Sequence, residues 1–208
     1  MNKRLVAYMQ GAVLLIEAAC MTPALVIALF QQGGDAWALG ATMLILIAIG
    51  APLRFLVRPG ERNLRAREGF LTVALAWIAL SCFGALPFVF SGMIPNYIDA
   101  LFESVSGFTT TGATVLENFD NLPQGIMFWR SFTHWIGGMG VLVLFLALMP
   151  KLGDGAVYLM RAESPGPIKS KLVPKVGSTA KILYAIYVAL TVLEMVCLRL
   201  AGATWFSA

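Results

Sequence analysis

The stretch that decides the fold is polar and punctuated by glycine: Ser104-Val105-Ser106-Gly107-Phe108-Thr109-Thr110-Thr111-Gly112-Ala113-Thr114-Val115-Leu116. It lies between two long apolar segments, so we expect its backbone to lie at membrane depth. Lipid cannot satisfy the N–H and C=O groups of irregular backbone, which is tolerated there only where protein buries it or where it lines a water-filled cavity. The stretch therefore predicts a pore that holds a cation.

The composition agrees with this interpretation. Hydrophobic residues make up 59% of the 208 residues and charged residues only 12%, which excludes an ordinary soluble domain. Five segments are apolar over enough residues to cross about 30 Å of hydrocarbon: residues 5–30, 37–57, 69–91, 127–149 and 180–202. We therefore predict an all-α integral membrane protein with five transmembrane helices, one re-entrant pore helix and a selectivity-filter loop.

The basic residues predict the orientation in the membrane. Except for Arg130 and Arg199, every lysine and arginine lies before the first predicted span or at the junctions of spans two and three and of spans four and five. The positive-inside rule makes these segments and the N-terminus cytoplasmic. The net charge of +4 thus reflects the orientation of the chain in the membrane and not an affinity for nucleic acid, so we expect no nucleic-acid partner. Four acidic residues surround the outer end of the polar stretch, as a rim that concentrates cations or as a solvated surface: Asp99, Glu103, Glu117 and Asp120.

A short segment before the polar stretch predicts the half-membrane helix. Asn96 after Pro95, with Asp99 three residues on, is typical of a helix start. A helix from Asn96 to Gly107 is roughly 18 Å long and cannot cross the membrane. The chain then returns outward, and successive carbonyl groups of that return can replace the hydration shell of a cation. A plain extracellular loop or a β-hairpin strand is the alternative.

Single residues carry further expectations. Gly112 is expected to use a positive φ. Gly137, Gly138 and Gly140 permit close approach of the pore loop or of a neighbouring helix, and simple helix packing explains them equally well. His134, the only histidine, is expected to form a hydrogen bond beneath the loop rather than to bind a metal.

Three residues inside the predicted spans leave polar groups that need hydrogen-bond partners. Pro23 and Pro87 are expected to kink their helices, so that neighbouring helices must satisfy the freed carbonyl groups. Glu17 lies near the centre of the first span, where an unpaired carboxylate is costly. We expect it to form a structural hydrogen bond, with a role in the permeation path as the alternative.

Three motifs together resemble a known family. They are ESVSGFTTTGAT at 103–114, HWIGGMG at 134–140 and AESPGP at 162–167. All three closely resemble the TrkH-type subunit of bacterial Trk potassium uptake systems, within the Trk/Ktr/HKT superfamily. The resemblance covers essentially the whole chain.

The resemblance implies a function and a set of partners. It implies a K⁺-conducting pore in the bacterial inner membrane, surrounded by lipid, in which four non-identical helix–pore loop–helix repeats of one polypeptide form the filter. It also implies a homodimer, a cytoplasmic nucleotide-binding regulatory subunit of the TrkA type, and no cofactor besides the transported K⁺. The sequence offers no nucleophile–base pair, metal-ligand spacing or phosphate-binding glycine motif, so we expect no enzymatic activity.

The resemblance also implies roles for individual residues. The loop residues would line one quarter of the filter, mainly through backbone carbonyl groups: Thr109, Thr110, Thr111, Gly112 and Ala113. K⁺ would lie at the middle three of them, Thr110, Thr111 and Gly112. Support for the filter would come from Gly107, His134, Gly137, Gly138 and Gly140.

The expected organisation has four parts: an N-terminal two-helix hairpin at 1–64, the first repeat at 65–150, a cytoplasmic linker at 151–179, and the first helix of an incomplete second repeat at 180–208. The last four residues, WFSA, echo YIDA at 97–100, where the pore helix begins. We therefore expect an N-terminal piece of a longer protein. The alternative is a short polytopic scaffold or assembly subunit in which the TTTGA loop is structural.

Overall fold

The computed structural model describes residues 2–31, 34–57, 66–117, 122–148 and 176–204. Within these ranges all regular structure is helical: α1 Lys3–Cys20, α2 Thr22–Gln31, α3 Ala36–Phe55, α4 Ala66–Gly84, α5 Leu86–Phe90, α6 Tyr97–Phe108, α7 Gln124–Leu148 and α8 Val176–Leu200. The AESPGP motif, Asp120, the echo at 205–208 and most of the basic loops lie outside the described residues.

Four stretches are long and apolar enough to cross a membrane: Lys3–Gln31, Ala36–Phe55, Glu68–Phe90 and Lys181–Leu200. They match predicted spans one, two, three and five, and the all-α membrane fold is confirmed. The predicted span over 127–149 coincides with α7, a helix of 25 residues that is not among these four. Helix α7 is also interrupted at Gly140, whose φ of 67° and ψ of 138° are not helical. A fourth span at this position stays a prediction.

Both prolines predicted to kink their helices lie next to a point where the helix is interrupted. The first span consists of α1 and α2, which meet just before Pro23, and Pro87 lies in the first turn of α5. The backbone N–H of Phe88 donates to Ala85 and leaves the carbonyl oxygen of Gly84 to another partner. That partner is Trp129 of α7, whose indole N–H donates to Gly84 at 3.0 Å. A neighbouring helix therefore satisfies the freed carbonyl group, as expected.

The N-terminal helices α1 and α3 pack closely through glycine. A Cβ added to Gly11 would lie 2.6 Å from the backbone nitrogen of Arg54 and 2.8 Å from the carbonyl oxygen of Gly50. Such small residues let two helix backbones approach each other. The backbone N–H of Asn2 donates to the Glu68 side chain, which joins this helix pair to α4. The start of α1, the end of α3 and the start of α4 therefore lie at one end of the bundle.

The start of α7 is fixed by the turn between α2 and α3. Asp35 is 2% exposed, and its Oδ2 accepts a hydrogen bond of 3.1 Å from the backbone N–H of Ile126. A carboxylate at this position satisfies one of the free N–H groups of a helix N-terminus and is favoured by the helix dipole. Gly125 leaves no room for a side chain there, because a Cβ would lie 2.6 Å from that of Ala28. Helix α7 is thereby held against α2 before it reaches α6.

Candidate functional site

The short helix α6 begins where the sequence predicts it. The side chain of Asn96 accepts a hydrogen bond of 3.0 Å from the backbone N–H of Ile98, and Asp99 lies in the first turn. The Tyr97 hydroxyl donates to the carbonyl oxygen of Cys82, which ties the start of α6 to α4. With 12 residues, α6 is roughly 18 Å long and ends well short of the width of a bilayer.

The end of α6 folds the loop back onto the helix. The backbone N–H of Thr110 donates to Gly107 and that of Thr111 to Ser106, both at 2.9 Å. This is the Schellman motif, in which glycine usually occupies the left-handed position that Thr110 holds here with a φ of 55°. A β-branched residue at positive φ is a genuine outlier, and such strain clusters at functional sites and ligand clamps.

The same two hydrogen bonds orient the carbonyl groups. In a planar trans peptide the C=O of one residue points opposite to the N–H of the next. Because the N–H groups of Thr110 and Thr111 point into the helix end, the carbonyl groups of Thr109 and Thr110 point away from it. The carbonyl oxygens at the start of the loop therefore face outward from the protein that holds them.

The threonine hydroxyl groups hold the loop. Thr109 donates to the carbonyl oxygen of Val105 at 2.7 Å, and Thr110 donates to that of Thr109, also at 2.7 Å. A hydroxyl group has a single hydrogen, so the 2.8 Å bond between the Thr109 and Thr111 hydroxyls has Thr111 as its donor. The hydrogen atoms of all three hydroxyls are thus used within the loop and the helix end.

Three successive carbonyl groups have no donor. Gly112 has the predicted positive φ, 76°. No residue in the described ranges donates a hydrogen bond to the carbonyl oxygen of Thr110, Thr111 or Gly112, and all three residues are exposed. The carbonyl oxygen of Ala113, in contrast, accepts from the Ser106 hydroxyl at 2.5 Å. A run of free carbonyl oxygens can replace water around a monovalent cation.

The outgoing side of the loop is held by Glu103, and this corrects the expectation that Glu103 belongs to an outer rim. Glu103 is 1% exposed. Its Oε2 accepts from the Thr114 hydroxyl at 2.9 Å and from the Val115 backbone N–H at 3.0 Å, and its Oε1 forms an ion pair with Arg130 of α7. The loop folds back across α6 and removes this carboxylate from solvent. The signal in the sequence was a pair of opposite charges in two neighbouring apolar segments, which favours pairing.

The predicted supporting glycines fall into two groups. A Cβ added to Gly107 would overlap the Thr133 hydroxyl, and one added to Gly137 would overlap the carbonyl oxygen of Phe108. These two glycines let α7 approach the end of α6. A Cβ on Gly138 would instead overlap the Tyr187 hydroxyl of α8. The described contacts therefore bring Gly107 and Gly137 together at the base of the loop and turn Gly138 away from it.

The other two residues predicted to support the filter, His134 and Gly140, lie in α7. The Nδ1 atom of His134 lies 3.0 Å from the carbonyl oxygen of Arg130, one helical turn earlier. A Cβ on Gly107 would lie 3.5 Å from that same nitrogen, so the ring does lie beneath the end of α6. Gly140 is the point at which α7 departs from helical geometry.

The apolar helices and the short helix with its loop define a multi-pass membrane protein. The family described as "Cation transport protein", TrkH, matches residues 38–205. Among relatives, the chain is 46% identical over 199 residues to "Trk system potassium uptake protein TrkH" of Escherichia coli K12, a match that covers 94% of this chain and 41% of the relative. It is 38% identical over 207 residues to "Trk system potassium uptake protein TrkG" of the same organism, covering 99% and 43% of the two chains.

A solved structure agrees with these relatives. The crystal structure of the potassium transporter TrkH from Vibrio parahaemolyticus superimposes with a TM-score of 0.79 at 36% sequence identity, covering 99% of this chain and 41% of that one. The chain therefore belongs to the TrkH family of cation transport proteins. The predicted family is confirmed, and membership of a transport family also confirms the expectation that the chain is not an enzyme. The chain spans about two fifths of the length of the relatives it matches.

Proposed function

We propose that the protein is the pore-forming subunit of a bacterial K⁺ uptake system and that residues 109–113 form one of the four loops of its filter. The observation that carries this proposal is the run of free, exposed carbonyl oxygens at Thr110, Thr111 and Gly112. These oxygens replace part of the hydration shell of K⁺. The C-terminal end of α6 adds partial negative charge beside them.

The organisation proposed for the chain follows the same scheme. The N-terminal hairpin covers 1–64, the first helix–loop–helix repeat 65–150, the linker 151–179 and the start of a second repeat 180–208. One loop cannot surround an ion, so the other loops come from further repeats. The coverage of about two fifths of the relatives' length supports this view.

The proposed setting is the bacterial inner membrane with the N-terminus in the cytoplasm. The distribution of lysine and arginine supports this orientation. The relatives' printed names refer to a Trk system for potassium uptake. We accordingly propose a homodimer that is regulated by a cytoplasmic nucleotide-binding subunit of the TrkA type, both on the strength of the family resemblance.

The alternative function, a scaffold whose loop is structural, fits the site less well. A loop that serves only structure needs no strained residue and no set of contacts that holds free carbonyl groups in one direction. Here the end of α6 holds the loop before the three free carbonyl groups, Ser106 and Glu103 hold it after them, and Thr110 keeps a strained backbone. The match to a cation transport family also favours conduction.

Two glycine variants test the filter. Gly112 and Gly92 have nearly the same φ, 76° and 77°, and neither would bring a Cβ within 4 Å of another atom. The backbone penalty on adding Cβ is therefore similar at the two positions, about 1 kcal/mol, but only Gly112 lies in the loop. In the native-length protein we expect Gly112→Ala to lower K⁺ uptake and K⁺/Na⁺ discrimination, and Gly92→Ala to leave both unchanged. Equal discrimination by the two variants at equal expression would refute the filter assignment.

A further inference from the structure

Glu17 lies in an unusual place for a carboxyl group. It belongs to the last turn of α1 and is 2% exposed. Neither of its carboxyl oxygens has a hydrogen-bond partner among the residues that the structure describes. The structural hydrogen bond expected from the sequence is therefore missing there, and the group must be stabilised in another way.

A second polar group without a partner faces the same small space. Helix α4 ends at Gly84, and a Cβ at that position would lie 3.3 Å from Glu17 Oε1 and 2.9 Å from Ser104 Oγ. A ring carbon of Phe108 lies 2.8 Å from the same point, so the absence of a side chain at Gly84 lets both oxygens and this ring approach the backbone of α4 closely. Ser104 is 0% exposed, and its hydroxyl likewise has no partner in the described ranges. Three buried polar atoms therefore converge where α1, α4 and α6 meet.

The surroundings favour a neutral group at Glu17. An ionised carboxylate that is buried without a partner costs far more than a neutral acid. The titratable groups that interact with Glu17 are Cys20 of α1 and Cys82 of α4, and a thiol cannot supply the positive charge that would pair with a carboxylate. The charged side chains of the other packed helices have partners of their own: Arg130 of α7 pairs with Glu103, and Arg54 of α3 lies over the Tyr8 ring.

We propose that Glu17 is a buried proton-binding site, held as a neutral carboxylic acid beside the Ser104 hydroxyl. A neutral acid needs no counter-ion, and the Ser104 hydroxyl lies across the Cβ position of Gly84 from it. The site joins the N-terminal helix to α6 one residue away from Glu103, and it does not depend on the proposed function of the loop.

Infrared spectroscopy of the purified native-length protein in lipid tests the protonation state. At neutral pH we expect a C=O stretching band of a protonated carboxyl group that Glu17→Gln removes. Glu117→Gln is the matched control, because Glu117 is exposed in the described loop, and this variant should retain the band. A spectrum in which Glu17→Gln removes no such band would mean that Glu17 is ionised, and the proposal would be wrong.

The neighbouring hydroxyl group has its own variants. Ser104→Ala should shift the frequency of the band because it removes the polar group beside the acid, whereas Ser131→Ala, at an exposed serine of α7, should not. An unchanged band in Ser104→Ala overturns the placement of the acid beside Ser104, and this variant also decides the matter if Glu17→Gln does not fold. Loss of the parent band on addition of Na⁺ or K⁺ would identify a metal ion as the occupant and overturn the proton assignment.

Discussion

Gly137 offers the sharpest test of how the loop is supported. A Cβ at this position would lie 2.8 Å from the carbonyl carbon of Phe108 and 3.1 Å from the carbonyl oxygen of Gly107, and it would overlap the oxygen of Phe108. Real Cβ atoms essentially never approach another atom closer than 3.0 Å. The obstructing atoms are backbone at a capped helix end, so they cannot rotate away as a side chain does. In Gly137→Ala the two helices must therefore separate.

The expected change in the free energy of unfolding of Gly137→Ala combines two effects. Overpacking of a close contact costs about 1–3 kcal/mol, and a backbone obstacle places Gly137→Ala near the upper value. Alanine is favoured over glycine within a helix by about 1 kcal/mol, which offsets part of that cost. The net loss of about 2 kcal/mol lowers the ratio of folded to unfolded protein about thirtyfold. The displaced end of α6 also carries the start of the loop, so K⁺ uptake should fall as well.

The matched control is Gly40→Ala in α3. Gly40 is helical too, but a Cβ there would find no atom within 4 Å. This variant should be as stable as the parent or more stable by up to about 1 kcal/mol. Denaturant unfolding in detergent, followed by tryptophan fluorescence, and K⁺ uptake in a deficient host are the two measurements. If Gly137→Ala matches Gly40→Ala in both stability and K⁺ uptake, the close contact between α7 and the end of α6 does not support the loop.

Two further variants test the contacts around the loop. Glu103→Gln removes the buried charge that holds the outgoing side of the loop, so we expect a loss of about 3 kcal/mol in the free energy of unfolding together with weaker K⁺ uptake. The control Glu117→Gln, at an exposed residue, should change neither quantity, and equal behaviour of the two variants would contradict the role of the ion pair. Trp129→Phe leaves the buried carbonyl oxygen of Gly84 without its donor and should lower the free energy of unfolding by about 1–3 kcal/mol. Trp37→Phe, at a tryptophan that is 61% exposed, should lower it much less. Unchanged stability in Trp129→Phe would show that this hydrogen bond is dispensable.

The features that the sequence predicted well are those decided by local chemistry. Asn96 caps α6 because its side chain needs only an N–H two residues on. Pro23 and Pro87 break their helices because the proline ring itself excludes the hydrogen bond of a straight helix. The positive φ of Gly112 likewise belongs to the residue type and its place in the return loop.

The features that the sequence did not reveal depend on contacts between distant helices. Gly137 and Gly138 are neighbours in the chain, but successive residues of a helix point about 100° apart. One therefore faces Phe108 of α6 and the other Tyr187 of α8, and only the packing of the helices decides which. Glu103 was misplaced for the same reason, since its burial depends on a loop that folds back over it.

The loop gains its shape from protein contacts on both sides of the free carbonyl groups. On the incoming side, the hydrogen bonds of the Schellman motif fix Thr110 and Thr111 to the end of α6. On the outgoing side, Ser106 holds Ala113 and Glu103 holds the two residues that follow. A strained residue such as Thr110 persists only where its surroundings over-determine it, and these two sets of contacts do so. The carbonyl oxygens are thus held in place by protein contacts alone, which in the proposed filter would spare an incoming cation the cost of ordering the loop.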